Sequence, residues 1–114
     1  MTDLANPSFS CAACRGELPA LSGPELLKQQ QHLAGGWHVA NEHHLEKACA
    51  FPDFRQAMTF AIRVGELAES EGHHPEICIS WGRVRLTLYT HKVDGLTETD
   101  FVLAAKIDRL HAAL

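Results

Sequence analysis

The chain has 114 residues, a length typical of one domain, and its 46% hydrophobic and 21% charged residues exclude intrinsic disorder as its class. Ten Lys and Arg against fourteen Asp and Glu give a formal net charge of −4, which disfavours binding of nucleic acid through a broad basic face. No stretch approaches the roughly 18 apolar residues of a membrane span, and the first residues lack a secretory signal, so we expect no membrane binding and a cytoplasmic location.

The N-terminal part of the chain shows little hydrophobic periodicity. Residues 1–21 contain two prolines and a glycine, so we predict a partly ordered extension followed by one domain over residues 22–114. The first regular element is a helix that begins at the capping signal Ser22-Gly23-Pro24-Glu25 and ends at Gly35-Gly36.

A hairpin and a long helix are predicted next. Two β-prone runs, residues 37–40 and 45–51, lie on either side of a polar stretch and predict the hairpin. Asp53 can then cap an amphipathic run in which apolar residues recur every three or four positions up to Gly72. This run is the strongest helix signal of the chain.

The C-terminal part repeats the order of hairpin and helix. Residues 75–80 and 83–93 alternate between apolar and polar, and Trp81-Gly82 between them is the predicted turn. A last helix is predicted over residues 97–114, with acidic residues in its first turn that suit the helix dipole. The order α-β-β-α-β-β-α predicts a single α+β domain in which helices cover one face of a four-stranded antiparallel sheet.

The second predicted hairpin brings histidines together. A two-residue turn makes His74 and His91 diagonal neighbours on its polar face, at about 7 to 8 Å, with His73 at the start of the strand. The apolar face should pack against the helices. Glu69 ends the preceding helix and Asp100 begins the next one, so we expect both acids at the same end of the hairpin.

This cluster indicates acid–base chemistry. Histidine can donate and accept protons near neutral pH, and a neighbouring carboxylate orients its ring. One alternative is that the His73-His74-Pro75 step is only a polar loop that enters a strand. Zinc binding is another alternative, but adjacent residues diverge on regular backbone and the chain has no H-x-x-x-H pair, so we predict no metal here.

Other potential ligands lie outside this cluster. Cys11 and Cys14 form a C-x-x-C pair, which is half of a structural zinc site or a redox pair in a thioredoxin-like context. No second cysteine pair follows, so we predict a reduced, inert pair. His43 and His44 fall in the first hairpin turn, where we expect them to be solvated.

Seven spaced positions carry a resemblance to a known family. The pattern Glu69-x3-His73-His74-Pro75-x5-Trp81-x9-His91-x8-Asp100 resembles the signature of the pterin-4a-carbinolamine dehydratases, also called dimerisation cofactors of a homeodomain transcription factor. The predicted order of elements is similar to the family's fold over about residues 20–114. The resemblance implies dehydration of 4a-hydroxytetrahydrobiopterin to quinonoid dihydropterin, with the pterin as substrate and no bound cofactor.

The resemblance also implies roles for the site residues. The predicted catalytic residues are His73, His74 and His91, and the predicted substrate-binding residues are Glu69, Pro75, Thr90 and Asp100. The family pattern makes His73 and His91 the proton donors or acceptors and His74 the residue that holds the pterin. The strand register instead favours His74 and His91 as the facing pair, so this division of roles stays open.

Partners follow from the same resemblance. It implies a homodimer or homotetramer and a link to aromatic amino acid hydroxylases, whose cofactor the reaction recycles. The alternative function is a non-catalytic protein-binding module of the same fold, similar to a transcriptional coactivator. A complete set of three histidines favours catalysis, because a scaffold does not need them.

Overall fold

The computed structural model describes residues 19–114, and within them it contains the predicted order of elements. The helices are α1 (Pro24–Gln30), α2 (Phe54–Glu71) and α3 (Glu98–Ala112), and the strands are β1 (His38–Ala40), β2 (His44–Ala50), β3 (Glu76–Ser80) and β4 (Arg83–Leu88). All strand pairs are antiparallel, in the order β1-β2-β4-β3. The predicted α+β fold is confirmed. Cys11 and Cys14 of the predicted extension lie outside the described residues.

The helix boundaries follow from local chemistry. The side chain of Asp53 accepts a hydrogen bond of 2.8 Å from the backbone N–H of Gln56, which satisfies one free donor at the start of α2. The helix ends at Gly72, which adopts the left-handed conformation that glycine tolerates best. Along residues 19–114, no helix is long and apolar enough to cross a membrane.

One face of the sheet forms the core with the helices. Val84, Leu86 and Leu88 of the central strand β4 are fully buried. They belong to one cluster with apolar residues of α2 and α3, including Phe60 and Phe101. The arrangement of helices on one sheet face therefore follows from the alternation of apolar residues in β4.

The second hairpin has the predicted register. Ser80 pairs with Arg83 and Glu76 pairs with Thr87, so Trp81-Gly82 is the two-residue turn. The predicted burial of the apolar face holds for β4 but less well for β3, where Ile79 is 38% exposed. This difference arises because β3 is an edge strand and β4 has strands on both sides.

The predicted extension of β4 to Val93 is wrong. The strand ends at Leu88, and His91–Val93 form a short 3-10 turn. Thr90 and Gly95 exchange two backbone hydrogen bonds, of 2.8 and 3.3 Å, and the residue before Gly95, Asp94, has a positive φ of 52°. This tight Asp-Gly loop turns the chain before it can continue the ladder.

A buried ion pair joins the sheet to α3. The Nζ atom of Lys47 lies 2.9 Å from Oδ1 of Asp108, and their side chains are 9% and 12% exposed. The indole N–H of Trp37 and the backbone N–H of Ala34 also donate to this carboxylate, each at 2.9 Å. Burial raises the pKa of the nearby Cys49 thiol, although Lys47 acts in the opposite direction.

Candidate active site

His73 is held in the protein interior by a carboxylate. Its Nε2 atom lies 2.5 Å from Oδ1 of Asp100, and the whole residue is only 3% exposed. An ionised carboxylate can only accept, so Nε2–H is the donor. This contact fixes the orientation of the ring and can stabilise a positive charge on it, as in other carboxylate–histidine pairs.

Asp100 is itself fixed by two further polar groups. It is fully buried, and its Oδ2 atom accepts from the hydroxyl of Thr90 at 2.8 Å and from the backbone N–H of Thr97 at 2.9 Å. The Thr97 hydroxyl lies 3.0 Å from that of Thr90. Asp100 thus combines two functions, since it is the acid at the start of α3 and the partner of His73.

His74 has a carboxylate partner in a more open setting. Its Nε2 atom lies 2.9 Å from Oε1 of Glu69, and the two side chains are 64% and 81% exposed. The exposed ring of His74 is therefore available to a ligand, and Glu69 favours the tautomer that keeps the proton on Nε2.

His91 enters from the 3-10 turn. It is exposed, and its ring lies on that of Tyr89, with centroids 4.3 Å apart and an angle of 34° between the planes. The predicted position of His91 in the strand ladder, diagonal to His74, is wrong because β4 ends before it. The turn nevertheless brings His91 to the same cleft.

The three predicted histidines line one cleft of about 200 Å³. Its lining residues are Gly72, His73, His74, His91 and Lys92. Of the predicted substrate contacts, Glu69 and Asp100 each bind one of these histidines. Pro75 and Thr90 are not in the lining, and Thr90 is fully buried. Three larger depressions, of about 370, 700 and 330 Å³, do not combine a histidine with an acidic side chain.

The C-terminus of α2 sets the direction of the two adjacent histidines. The N–H of Gly72 donates to the carbonyl of Glu69, and the N–H of His73 donates to that of Ala68, both at 3.2 Å. These are the two bonds of a Schellman motif, with a glycine in the left-handed position. Adjacent side chains were expected to diverge on regular backbone, but the backbone here is irregular. His73 and His74 therefore line the same cleft.

We expect Gly72→Ala to destabilise the protein by about 1 kcal/mol, because φ is +69° and a left-handed alanine is unfavourable. A β-carbon there would have no atom within 4 Å, so the cost is conformational. Gly65→Ala, inside α2 and equally free of contacts, is the matched control and should stabilise by about 0.5 to 1 kcal/mol. Urea unfolding measures both, and equal effects would contradict this explanation.

Sequence reasoning missed three contributors. Lys92 lines the cleft, Tyr89 packs on His91, and Thr97 holds Asp100. The Thr97-x-x-Asp100 spacing was the available signal for the last contact, since it is typical of a capping box. Periodicity contains no equivalent signal for Lys92, because its position depends on the unpredicted 3-10 turn.

His43 and His44 are less exposed than predicted. Their side chains are 34% and 19% exposed, so the expectation of two solvated histidines is wrong. Each ring binds a carboxylate: Nε2 of His43 lies 2.8 Å from Asp94, and Nε2 of His44 lies 3.0 Å from Glu46.

Comparison with known proteins gives one family. Residues 19–110 match the family model described as pterin 4 alpha carbinolamine dehydratase. A relative from Rubrobacter xylanophilus, provisionally named pterin-4-alpha-carbinolamine dehydratase, is 52% identical over 110 residues, which are 96% of this chain and 100% of the relative. A relative with the same provisional name from Alkaliphilus metalliredigens is 46% identical over 99 residues, or 87% and 89% of the two chains.

Solved structures share the fold. The transcriptional coactivator/pterin dehydratase from Brucella melitensis has a TM-score of 0.74 and 32% identity, with 80% of this chain and 97% of that chain covered. A pterin dehydratase-like protein described as a RuBisCO assembly factor in the alpha-carboxysome has a TM-score of 0.58 and 27% identity, with 69% and 92% covered. The fold therefore occurs in proteins to which different functions are ascribed.

Proposed function

Because the chain belongs to the pterin-4a-carbinolamine dehydratase family, we propose that it is a hydro-lyase that converts 4a-hydroxytetrahydrobiopterin to quinonoid dihydropterin and water. The observation that carries this proposal is the cleft lined by His73, His74 and His91, two of which have carboxylate partners. Such a group of histidines supplies both of the proton transfers that this elimination needs.

The elimination requires one acid and one base that act on two groups bonded to the same carbon atom, C4a. The bond between C4a and the hydroxyl oxygen breaks, and a proton delivered to that oxygen releases it as water. The proton on the neighbouring ring nitrogen N5 is removed, and its bonding electrons form the N5–C4a double bond. One proton is donated and one accepted, so the net charge of the enzyme is unchanged, and exchange of protons between the two histidines and solvent restores the starting protonation of each.

We assign the proton transfers to His73 and His91, and the holding of the pterin to His74. Asp100 supports this role of His73, because a buried carboxylate stabilises the imidazolium that forms when the ring accepts a proton. His91 approaches from a different element and is exposed to the cleft. The exposed His74–Glu69 pair is suited to hydrogen bonding with the polar edge of a planar ring.

Two assignments differ from the roles expected from the sequence. We propose that Thr90 acts through Asp100, since its buried hydroxyl donates to that carboxylate. We add Lys92 as a substrate contact, because its ammonium is the cationic group of the cleft lining and can donate to the pterin's carbonyl oxygen.

The direct test is the rate at which purified protein accelerates loss of enzymatically generated 4a-hydroxytetrahydropterin, followed by ultraviolet absorbance. We expect strong acceleration that His91→Ala reduces by at least about a hundredfold, the lower range for a general acid or base, whereas His74→Ala raises KM because a residue that holds the pterin is lost. His38→Ala, at an exposed histidine of β1, is the control and should keep full activity. No acceleration by folded wild-type protein would overturn the enzyme assignment for this substrate.

Protein binding is the second candidate function. Three large apolar side chains, Phe54, Ile62 and Trp81, are 48%, 53% and 70% exposed and surround the depression of about 700 Å³. Exposed apolar patches of this kind are typical of interaction sites. We propose that they serve homo-oligomer formation or a protein partner, and that an aromatic amino acid hydroxylase in the same cytoplasm supplies the pterin.

A further inference from the structure

His91 differs from the other two histidines of the cleft in how its ring is held. His73 and His74 each bind a carboxylate, at 2.5 and 2.9 Å. The ring of His91, in contrast, makes no hydrogen bond to any group of residues 19–114. Within that range its ring contact is the stack on Tyr89, with centroids 4.3 Å apart. The orientation of the His91 ring therefore depends on Tyr89.

The orientation of this ring matters for proton transfer. An exposed histidine that lacks a hydrogen bond can adopt several staggered side-chain conformations, and His91 is exposed. A general acid or base must lie within hydrogen-bond reach of the atom that it protonates or deprotonates. Misplacement by about 1 Å can lower the rate about a hundredfold. A contact that restricts the His91 ring to one conformation therefore contributes to catalysis without touching the substrate.

The geometry of the two rings is that of an attractive aromatic pair. Their planes are inclined by 34°, so they form a tilted stack. The distance of 4.3 Å between centroids is close to the lower limit of the range of about 4.5 to 7 Å in which aromatic side chains attract one another. The stack is therefore a close contact, and it opposes rotation of the exposed imidazole.

The backbone of Tyr89 is fixed on both sides, which makes its ring a firm support. Its neighbours Leu88 and Thr90 are both fully buried. The N–H of Thr90 donates to the carbonyl of Gly95 at 2.8 Å. The Thr90 hydroxyl donates to the buried carboxylate of Asp100, also at 2.8 Å. Because neighbouring side chains of an extended chain alternate in direction, Tyr89 lies on the other side, toward His91.

A second ring contact supports Tyr89. The ring of His43, in the turn between β1 and β2, lies 4.6 Å from that of Tyr89, at an angle of 42°. Nε2 of His43 also lies 2.8 Å from Oδ1 of Asp94, the residue that follows the 3-10 turn of His91. The Asp94 side chain is 85% exposed, so this ion pair by itself contributes little. The ring contacts are therefore the main link between the hairpin and His91.

The part of Tyr89 that makes these contacts is its ring. Its hydroxyl makes no hydrogen bond to residues 19–114. Tyr89 is also outside the lining of the catalytic cleft, which consists of the three histidines with Gly72 and Lys92. Tyr89 thus supports a residue of the cleft from behind, and its effect on the reaction passes through His91.

We propose that Tyr89 is a positioning residue, whose ring holds the imidazole of His91 in the orientation that it needs in the cleft. His43 supports Tyr89 from the neighbouring hairpin. The catalytic consequence rests on the proposed dehydratase function, whereas the orientation of the His91 ring does not. Because the contacts use the ring and not the hydroxyl, phenylalanine should replace Tyr89 and leucine should not.

The first test is nuclear magnetic resonance of the full-length protein without substrate. Tyr89 is the only tyrosine, so its ring protons are identified directly, and His91→Gln identifies those of His91 by their loss. We expect nuclear Overhauser contacts between the two rings and an upfield ring-current shift of His91. Tyr89→Leu should abolish that shift, and Tyr89→Phe should keep it. Absence of the contacts and of the shift in the wild type would overturn the proposal, whatever the activity.

The second test is kinetic. Tyr89→Leu is expected to lower kcat by about fivefold to tenfold with KM unchanged, and Tyr89→Phe should restore the wild-type kcat. Thr87→Ala, at the preceding outward position of β4, is the control and should keep both kcat and the His91 shift. Full kcat in a Tyr89→Leu variant that has lost the shift would overturn the positioning role. A rise in KM alone would also overturn it, because it would make Tyr89 a substrate contact.

Failure of the dehydratase assignment gives a different result. If folded wild-type protein does not act on 4a-hydroxytetrahydropterin, that assignment fails, and the resonances of the substrate-free protein still decide whether Tyr89 orients His91. Circular dichroism checks that Tyr89→Leu is folded. The Overhauser contacts of the wild type do not depend on any variant, so they decide the question even if Tyr89→Leu does not fold.

Discussion

Replacement of His73 by glutamine is expected to lower kcat for the dehydration by at least about a hundredfold, with a much smaller change in KM. Glutamine keeps a hydrogen-bond donor for the buried carboxylate of Asp100 but cannot take up and release a proton near neutral pH. The loss therefore falls on the chemical step. Stopped-flow absorbance with 4a-hydroxytetrahydropterin at several concentrations separates kcat from KM.

The role of Asp100 is tested in the same assay. Asp100→Asn removes the charge that stabilises protonated His73, and we expect a loss of about tenfold to a hundredfold in kcat. The double variant His73→Gln/Asp100→Asn should lose little more than His73→Gln alone, since the two residues act as one unit. Fully additive losses would contradict a shared role. Circular dichroism checks that α3, whose first turn contains Asp100, remains folded.

The sequence contains enough information for most of the fold because the main signals are local. The cap at Asp53, the glycine at position 72 and the two-residue turn at Trp81-Gly82 each depend on residues within a few positions of one another. Alternation in β4 then identifies the buried face. These features need no knowledge of distant contacts, and the structure confirms them.

The end of β4 shows where local reasoning fails. Residues 83–93 alternate throughout, but the ladder stops at Leu88 because Thr90 pairs with Gly95 instead of with a neighbouring strand. His91 reaches the predicted cleft from a 3-10 turn. From the sequence, Asp100 was expected only at the same end of the hairpin as His73. Their direct contact was not predicted, because the two residues are 27 positions apart.

The buried Lys47–Asp108 pair was beyond prediction for a different reason. Lys47 occupies an inward position of β2, between the buried residues Leu45 and Cys49, where alternation predicts an apolar residue. Its partner lies 61 residues away on α3, and nothing in the spacing connects them. Only the folded structure shows that the charge has a partner in the interior.

Asp108→Ala is expected to destabilise the protein by about 3 to 5 kcal/mol, because removal of one partner leaves the buried ammonium of Lys47 without a compensating charge. The indole N–H of the buried Trp37 also loses its acceptor, which adds to the cost. Since native domains are stable by only about 5 to 15 kcal/mol, the loss should be evident in urea unfolding.

An exposed ion pair provides the matched control. The Nζ atom of Lys106 lies 2.7 Å from Oε2 of Glu71, but the two side chains are 34% and 30% exposed. We therefore expect Glu71→Ala to lower the free energy of unfolding by no more than about 1 kcal/mol. The double variant Lys47→Met/Asp108→Leu should recover much of the stability lost in Asp108→Ala, because it removes the unpaired charge together with its partner. If Asp108→Ala destabilises the protein as little as Glu71→Ala, burial does not increase the contribution of the Lys47–Asp108 pair, and the prediction is contradicted.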